Sequence, residues 1–250
     1  MFCDYIIMEN IYIYSIDGNI GSGKSTVIKL LKEKFKTINK TEIIYLPEPV
    51  KTWSSIKDKE GENIIEKFYK DNKKYAFAFQ MMAYITRINQ VKKVIKNLEN
   101  NKNYIIITER SVHTDKNVFA KMLYNNKDIN ECEYQIYNKW FDEFICDIPI
   151  HRYIYIDTSP KKCLERIEKR SRKGENKIPI EYLEMCKEHH DIWLNKLDDV
   201  FYINGDVELG TTEHIEVFNN ITKYIFENTP NNTIDGTQIT LEMLMQHPFF

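Results

Sequence analysis

The chain has 250 residues, 42% of them hydrophobic and 29% charged, with a formal net charge of −2. This composition excludes a disordered chain, a collagen-like repeat and a membrane-spanning protein, and the length suits one large α/β domain. The 35 Lys and Arg are interleaved with 37 Asp and Glu, so no long-range field would gather nucleic acid, and any phosphate must be held locally.

Residues 1–9 contain Asp4 and Glu9 and no arginine, which is unlike a signal or transit peptide, and no apolar run approaches membrane-spanning length. Ile11 to Ile16 reads as a strand. It runs into Asp17-Gly18-Asn19-Ile20-Gly21, and from Ser22 the spacing of Val27, Leu30, Leu31 and Phe35 predicts a helix. A second strand, Glu42 to Leu46, is stopped by Pro47 and Pro49. A long helix is expected from about Lys74 to Leu98. Its apolar stripe (Ala78, Met81, Met82, Ile85, Ile88, Val91, Ile95, Leu98) would face a core or a dimer seam.

Tyr104 to Thr108 and Tyr153 to Ile156 are short apolar runs typical of strands buried on both faces. Helical patterns fall around Val118 to Tyr124, Tyr134 to Ile145, Pro160 to Arg170, Pro179 to Leu197 and Glu213 to Phe226, with a strand at Val200 to Ile203. Strands alternating with helices predict a mostly parallel sheet covered on both faces, with its ligand crevice at the strands' carboxyl ends. One domain is expected over residues 1–228, then a linker and an apolar tail over 229–250 with no role assigned. Cys3, Cys132, Cys146, Cys163 and Cys186 form no C-x-x-C pair. Reduced thiols, no zinc and a cytoplasmic location are therefore expected.

The stretch Gly18-Asn19-Ile20-Gly21-Ser22-Gly23-Lys24-Ser25 fits G-x-x-x-x-G-K-[ST] between a strand and a helix. Glycines turn backbone N–H groups toward phosphates, Lys24 bridges the outer phosphates, and the Ser25 hydroxyl suits Mg²⁺. Glu48 is held between two prolines just past the second strand. A carboxylate beside a transferring phosphate suits a neutral hydroxyl acceptor, whose proton it can take. Thr108-Glu109-Arg110-Ser111 ends another strand, so its Glu-Arg pair is either structural or functional, with Glu109 a candidate for Mg²⁺ through water and Arg110 for bracing Glu48 or the acceptor hydroxyl. Arg166, Arg170, Arg172 and Lys173 read as a lid over the phosphates or as a solvated basic face.

The set GNIGSGKS, PEPVxxW, Phe79-Gln80 with Arg87, ERSVHTD and the Arg-rich segment before Ile178-Pro179-Ile180-Glu181-Tyr182-Leu183 resembles the deoxyribonucleoside kinase family over about residues 11–226. The resemblance implies a P-loop NTPase-type three-layer α/β fold, with a five-stranded parallel sheet flanked by helices and an Arg-rich lid. It implies Mg²⁺, ATP or another nucleoside triphosphate as phosphate donor, and a homodimer. Glu48 would accept the 5′-hydroxyl proton, with Arg110 and Lys24 in support and Ser25 and Glu109 at the metal. The P-loop through Thr26, together with Arg166, Arg170, Arg172 and Asp206, would hold the donor. Gln80 would bond the base edge, Trp53 and Phe79 line its slot, and Tyr69 and Glu175 take the sugar 3′-hydroxyl. Asp17 stands where a glutamate is common in the family, and His113 where tyrosine is usual.

Ala83, Arg87 and Asp115 resemble the branch acting on deoxycytidine and deoxyguanosine, which implies deoxycytidine and purine deoxynucleosides as substrates and thymidine as a poor one. Two alternatives stay open at this point: a nucleoside monophosphate kinase of thymidylate kinase type, and a catalytically idle structural relative.

Overall fold

The computed structural model describes residues 10–38, 41–100, 102–149, 151–170, 175, 178–208, 210–229, 233–234 and 237–238. In chain order the elements are β1 (Ile11–Gly18), α1 (Lys24–Lys34), β2 (Thr37–Ile38), β3 (Thr41–Leu46), α2 (Val50–Ser55), α3 (Ile64–Lys70) and α4 (Asn72–Lys96). There follow β4 (Tyr104–Glu109), α5 (Val112–Thr114), a π-helical turn (Asp115–Ala120), α6 (Lys121–Asn125), α7 (Glu131–Phe144) and β5 (His151–Asp157). The chain continues with α8 (Pro160–Arg170), α9 (Ile180–Leu194), β6 (Val200–Asn204), α10 (Thr212–Glu227), β7 (Thr233–Ile234) and β8 (Thr237–Gln238).

The main sheet has the order β2-β3-β4-β1-β5-β6. The five strands from β3 to β6 are parallel, and β2 adds an antiparallel two-residue edge that the sequence reading lacked. Alternate side chains sort the layers. Tyr14, Ile16, Ile105 and Ile107 pack with α1 and α10 on one face. Ile13 and Ile106 pack with Tyr84, Ile88 and Val91 of α4 and Tyr137 and Phe141 of α7 on the other. Pairing of Ile16 with Glu109 and of Leu46 with Thr108 brings the ends of β1, β3 and β4 to one edge, where the phosphate-binding loop, Glu48 and Arg110 follow.

Several expectations are corrected. The buried face of α4 is Ala76, Phe79, Gln80, Ala83, Tyr84, Arg87, Ile88 and Val91, while Ala78 and Ile85 are exposed. The helix walls the crevice, so its inner face carries a glutamine and an arginine that an apolar stripe leaves out. Helices α2 and α3 are not legible in the sequence because six and seven residues show too little periodicity. The pattern expected from Val118 begins at Val112, through the π turn. The expected linker contains a short antiparallel pair, β7 with β8. Cys132, Cys163 and Cys186 are free thiols, whereas Cys146 is disulfide-bonded, against the expectation that all are reduced. Among the described residues no helix is long and apolar enough to cross a membrane.

Candidate active site

One cavity of about 580 Å³ runs from the phosphate-binding loop to an aromatic slot between α2, α3, α4 and the π turn. The loop is shaped by glycines where nothing else fits. Gly21 has φ +82, and a Cβ there would lie 2.5 Å from the Cys163 carbonyl oxygen, because α8 packs directly on the loop. Asn19 ties the loop to α9 by donating to the Leu183 carbonyl at 2.8 Å. Gly18 and Asn19 lie behind the wall, whereas Ile20 through Thr26 line the cavity.

Lys24 is buried, with its ammonium donating to the Asn19 carbonyl at 2.5 Å and the Ser22 hydroxyl at 3.3 Å. Burial, with Arg110 adding to it, pulls Lys24 down to about 7 against the pull of Glu109 and Glu48. Ser25 Oγ donates to Glu109 Oε1 at 2.6 Å. A hydroxyl beside a carboxylate is a hard-oxygen pair that fits hydrated Mg²⁺ shared with phosphates. No cluster of three or more His, Cys, Asp or Glu side chains with metal-ligand geometry exists among the described residues, so phosphates and water would have to complete that shell.

Glu48 sits between these parts. Its Oε1 accepts from Arg110 Nη1 at 2.6 Å and from Arg87 Nη2 at 3.3 Å. Burial alone would raise its pKa, but the guanidiniums of Arg110 and Arg87 and the Lys24 ammonium outweigh burial and hold it at about 2. Arg110 has φ 61, the left-handed region rare for a residue other than glycine, and it turns the chain at the end of β4 so that its guanidinium also reaches the Gly18 carbonyl at 3.3 Å. Asp17, fully buried beneath, accepts from Ser15 and from Thr114, which links the start of the loop to the α5 cap.

Trp53, Phe79, Gln80, Ala83, Arg87 and Asp115 all line the slot, joined by Val50, Ile65, Phe68, Phe119 and Tyr182, which the sequence reading did not single out. Phe68 stacks on Phe79 at 4.7 Å, and Trp53 meets Phe79 edge-on at 5.6 Å. Gln80 Oε1 is buried without a hydrogen-bond partner among the described residues, an acceptor that a base edge would satisfy. Arg87 Nε donates to Asp115 Oδ2 at 2.8 Å, so these two form the expected pair. Phe119 was legible only as the residue one turn beyond Asp115, and Val50, Ile65 and Phe68 sit on the two unread helices. Tyr69 and Glu175 share the wall, and burial followed by the Glu175 charge raises the Tyr69 pKa.

The lid residues divide. Arg166 lines the cavity but spends its guanidinium on backbone carbonyls: Ser22 at 3.1 Å, Gly205 at 3.0 Å and Val207 at 2.5 Å. Arg170 pairs with Glu175. Arg172 lies outside the described residues. Asp206 does not line the cavity: its carboxylate accepts from Ser159 N at 2.9 Å and Ser159 Oγ at 3.0 Å just before α8, while Gly205, Val207, Glu208 and His214 line the donor end. His113 packs edge-on to Phe141 at 5.4 Å, outside the slot.

Comparison with known proteins gives the family. Deoxycytidine kinase 2 of Gallus gallus is 36% identical over 197 residues, 72% of each chain. Probable deoxycytidine kinase of Fowlpox virus is 36% identical over 224 residues, 85% of this chain and 88% of its own. Mitochondrial deoxyguanosine kinase of Xenopus laevis is 31% identical over 197 residues, 73% of this chain and 72% of its own. Residues 14–234 match the family described as deoxynucleoside kinase, a span that runs from β1 past α10 and takes in every wall of the cavity, and on that match the chain belongs to the deoxynucleoside kinase family.

Proposed function

We propose that the chain transfers the γ-phosphoryl group of ATP to the 5′-hydroxyl of deoxycytidine and of purine deoxynucleosides, with Mg²⁺. As a deoxynucleoside kinase the chain uses a nucleoside triphosphate to phosphorylate a nucleoside in salvage. The observation that carries the finer reading is Glu48, an ionised carboxylate held by two guanidiniums between the P-loop and the slot. The 5′-oxygen forms its bond to the γ-phosphorus as the bond to the bridging oxygen breaks. Glu48 takes the hydroxyl proton, and the leaving diphosphate keeps the electron pair. Lys24 and the P-loop amides neutralise charge on the transferring group, and Mg²⁺ held by Ser25 and Glu109 would supply further neutralisation.

Beside Glu48, Arg87 and Arg110 are engaged by Asp115 and Glu48, so neither is left to pair with a phosphorylated acceptor. This disfavours a nucleoside monophosphate kinase. The Arg87–Asp115 pair also supports discrimination against thymidine, whose 5-methyl group would desolvate charges without replacing their hydrogen bonds. Assays with Mg-ATP on deoxynucleosides and on deoxynucleotides test the reading. We expect deoxycytidine and purine turnover, little on thymidine and none on monophosphates. Arg87→Met with Asp115→Ala should raise the thymidine-to-deoxycytidine ratio, and an unchanged ratio would refute the specificity assignment.

We also propose a homodimer through α4 and α7. Ile85, Ile136 and Trp140 are 41%, 44% and 44% exposed on these adjacent helices. Sedimentation velocity should report two chains, and Trp140→Glu should report one.

A further inference from the structure

Two guanidiniums meet the same oxygen of Glu48. Arg110 Nη1 and Arg87 Nη2 both donate to Oε1, and Oε2 accepts no hydrogen bond among the described residues. Arg110 comes from the end of β4. Arg87 comes from α4, and its other two nitrogens are also engaged: Nε with Asp115 Oδ2 at 2.8 Å and Nη1 with the Glu109 carbonyl at 2.6 Å, with Nη2 also 3.4 Å from Asp115 Oδ1. The guanidinium lies 5.9 Å from the centre of the Trp53 ring, which also walls the slot. Arg87 cannot tilt toward or away from a bound base without moving its bond to Glu48.

We propose that Arg87 is a positioning residue for Glu48: together with Arg110 it pins Oε1 so that Oε2 is presented to the acceptor hydroxyl, and it thereby links the fit of the base at the Arg87–Asp115 edge to the proton-accepting step. This rests on Glu48 being the proton acceptor. The charges facing Glu48 are Arg87 on α4, Arg110 after β4 and Lys24 in the P-loop, with the anion Asp115 in the π turn, and Tyr69 on α3 adds a neutral hydroxyl. Removing Arg87 deletes a cation in contact with Oε1 and leaves Asp115 uncompensated. Both changes favour protonation of Glu48 and free its rotation. Removing Asp115 deletes an anion and acts in the opposite sense.

The experiment compares the full chain with Arg87→Met, Arg87→Lys, Asp115→Ala, Arg87→Met with Asp115→Ala, and Glu48→Gln. Steady-state kinetics on deoxycytidine with Mg-ATP are followed from about pH 5 to about pH 9. In parallel, the side-chain carboxyl carbon of Glu48 is titrated by NMR in ¹³C-glutamate-labelled protein, assigned by its loss in Glu48→Gln. For Arg87→Met we expect kcat to fall about tenfold or more and the Glu48 midpoint to rise by about one pH unit or more. Arg87→Lys should recover the midpoint, and Asp115→Ala should not raise it. Should the single variant fail to fold because Asp115 is left unpaired, the double variant is compared with Asp115→Ala, from which it differs only by the cation touching Oε1, and its Glu48 midpoint should lie the higher of the two. An unmoved midpoint with a change in KM alone would overturn the proposal. Retained turnover in Glu48→Gln would instead overturn the proton-acceptor reading, so the two failures are distinguishable.

Discussion

Glu48 shows how a buried acid is kept useful. Burial by itself would protonate it, yet Arg110 and Arg87 in contact and Lys24 nearby keep it ionised, with a pKa of about 2. A base that never needs to lose a proton first is ready at any working pH. Glu48→Gln keeps the size and can still contact the arginines, but it removes the proton acceptor. We expect kcat to fall by roughly 10²-fold or more with a much smaller change in nucleoside affinity, read by steady-state kinetics and nucleoside titration. Arg110 reaches Glu48 only because its backbone adopts φ 61, a conformation held by its N–H bonding to the Ile16 carbonyl at 3.1 Å. Strain at that residue is offset by the sheet beside it.

Short elements do most of the shaping of the slot. α3 supplies Ile65, Phe68 and Tyr69, yet it spans only seven residues and could not persist alone. Its start is secured by Asn63, whose side chain accepts from Ile65 N at 3.0 Å and Glu66 N at 3.1 Å, while Glu66 returns a bond to Asn63 N at 3.1 Å. Asn63→Ala should therefore cost about 1 kcal/mol of stability in urea unfolding. Because α3 carries slot residues and no proton acceptor, KM for the nucleoside should rise while kcat stays close to that of the parent. The π turn is the second short device. Such wide turns are rare and concentrate at functional sites, and this one begins at Asp115 and carries Phe119 into the same cavity.

Across the whole molecule the three layers bury titratable groups that do not line the cavity. His151 and His190 are 4% and 0% exposed, and burial drives each down to about 3. Between pH 6.5 and about 3 the unfolded chain binds protons at these sites that the folded chain refuses, so stability falls as the pH drops. Each histidine should remove about 2 kcal/mol by about pH 5. Glu48 acts in the same direction only lower, as the pH falls from its unfolded value toward about 2. Urea unfolding at about pH 7.5 and about pH 5 checks this. His190→Phe, which can keep a stacked ring on Tyr155, should flatten the dependence by one histidine's share.

The five parallel strands, the P-loop and the grouping of Glu48, Glu109 and Arg110 are legible in the sequence, because each rests on local chemistry: buried apolar runs, a glycine pattern between strand and helix, and charged residues at or just past strand ends. Family likeness adds Gln80 and Arg87, which the apolar periodicity leaves off the inner face of α4, and Asp115 in the π turn. The rest depends on packing between distant elements. It sends both arginines to one oxygen of Glu48, ties Arg166 to three carbonyls and turns Asp206 to Ser159. It also recruits Phe68 and Phe119 to the slot. These outcomes depend on which elements the sheet order brings side by side, and a side chain with several possible partners takes the one that packing places within reach.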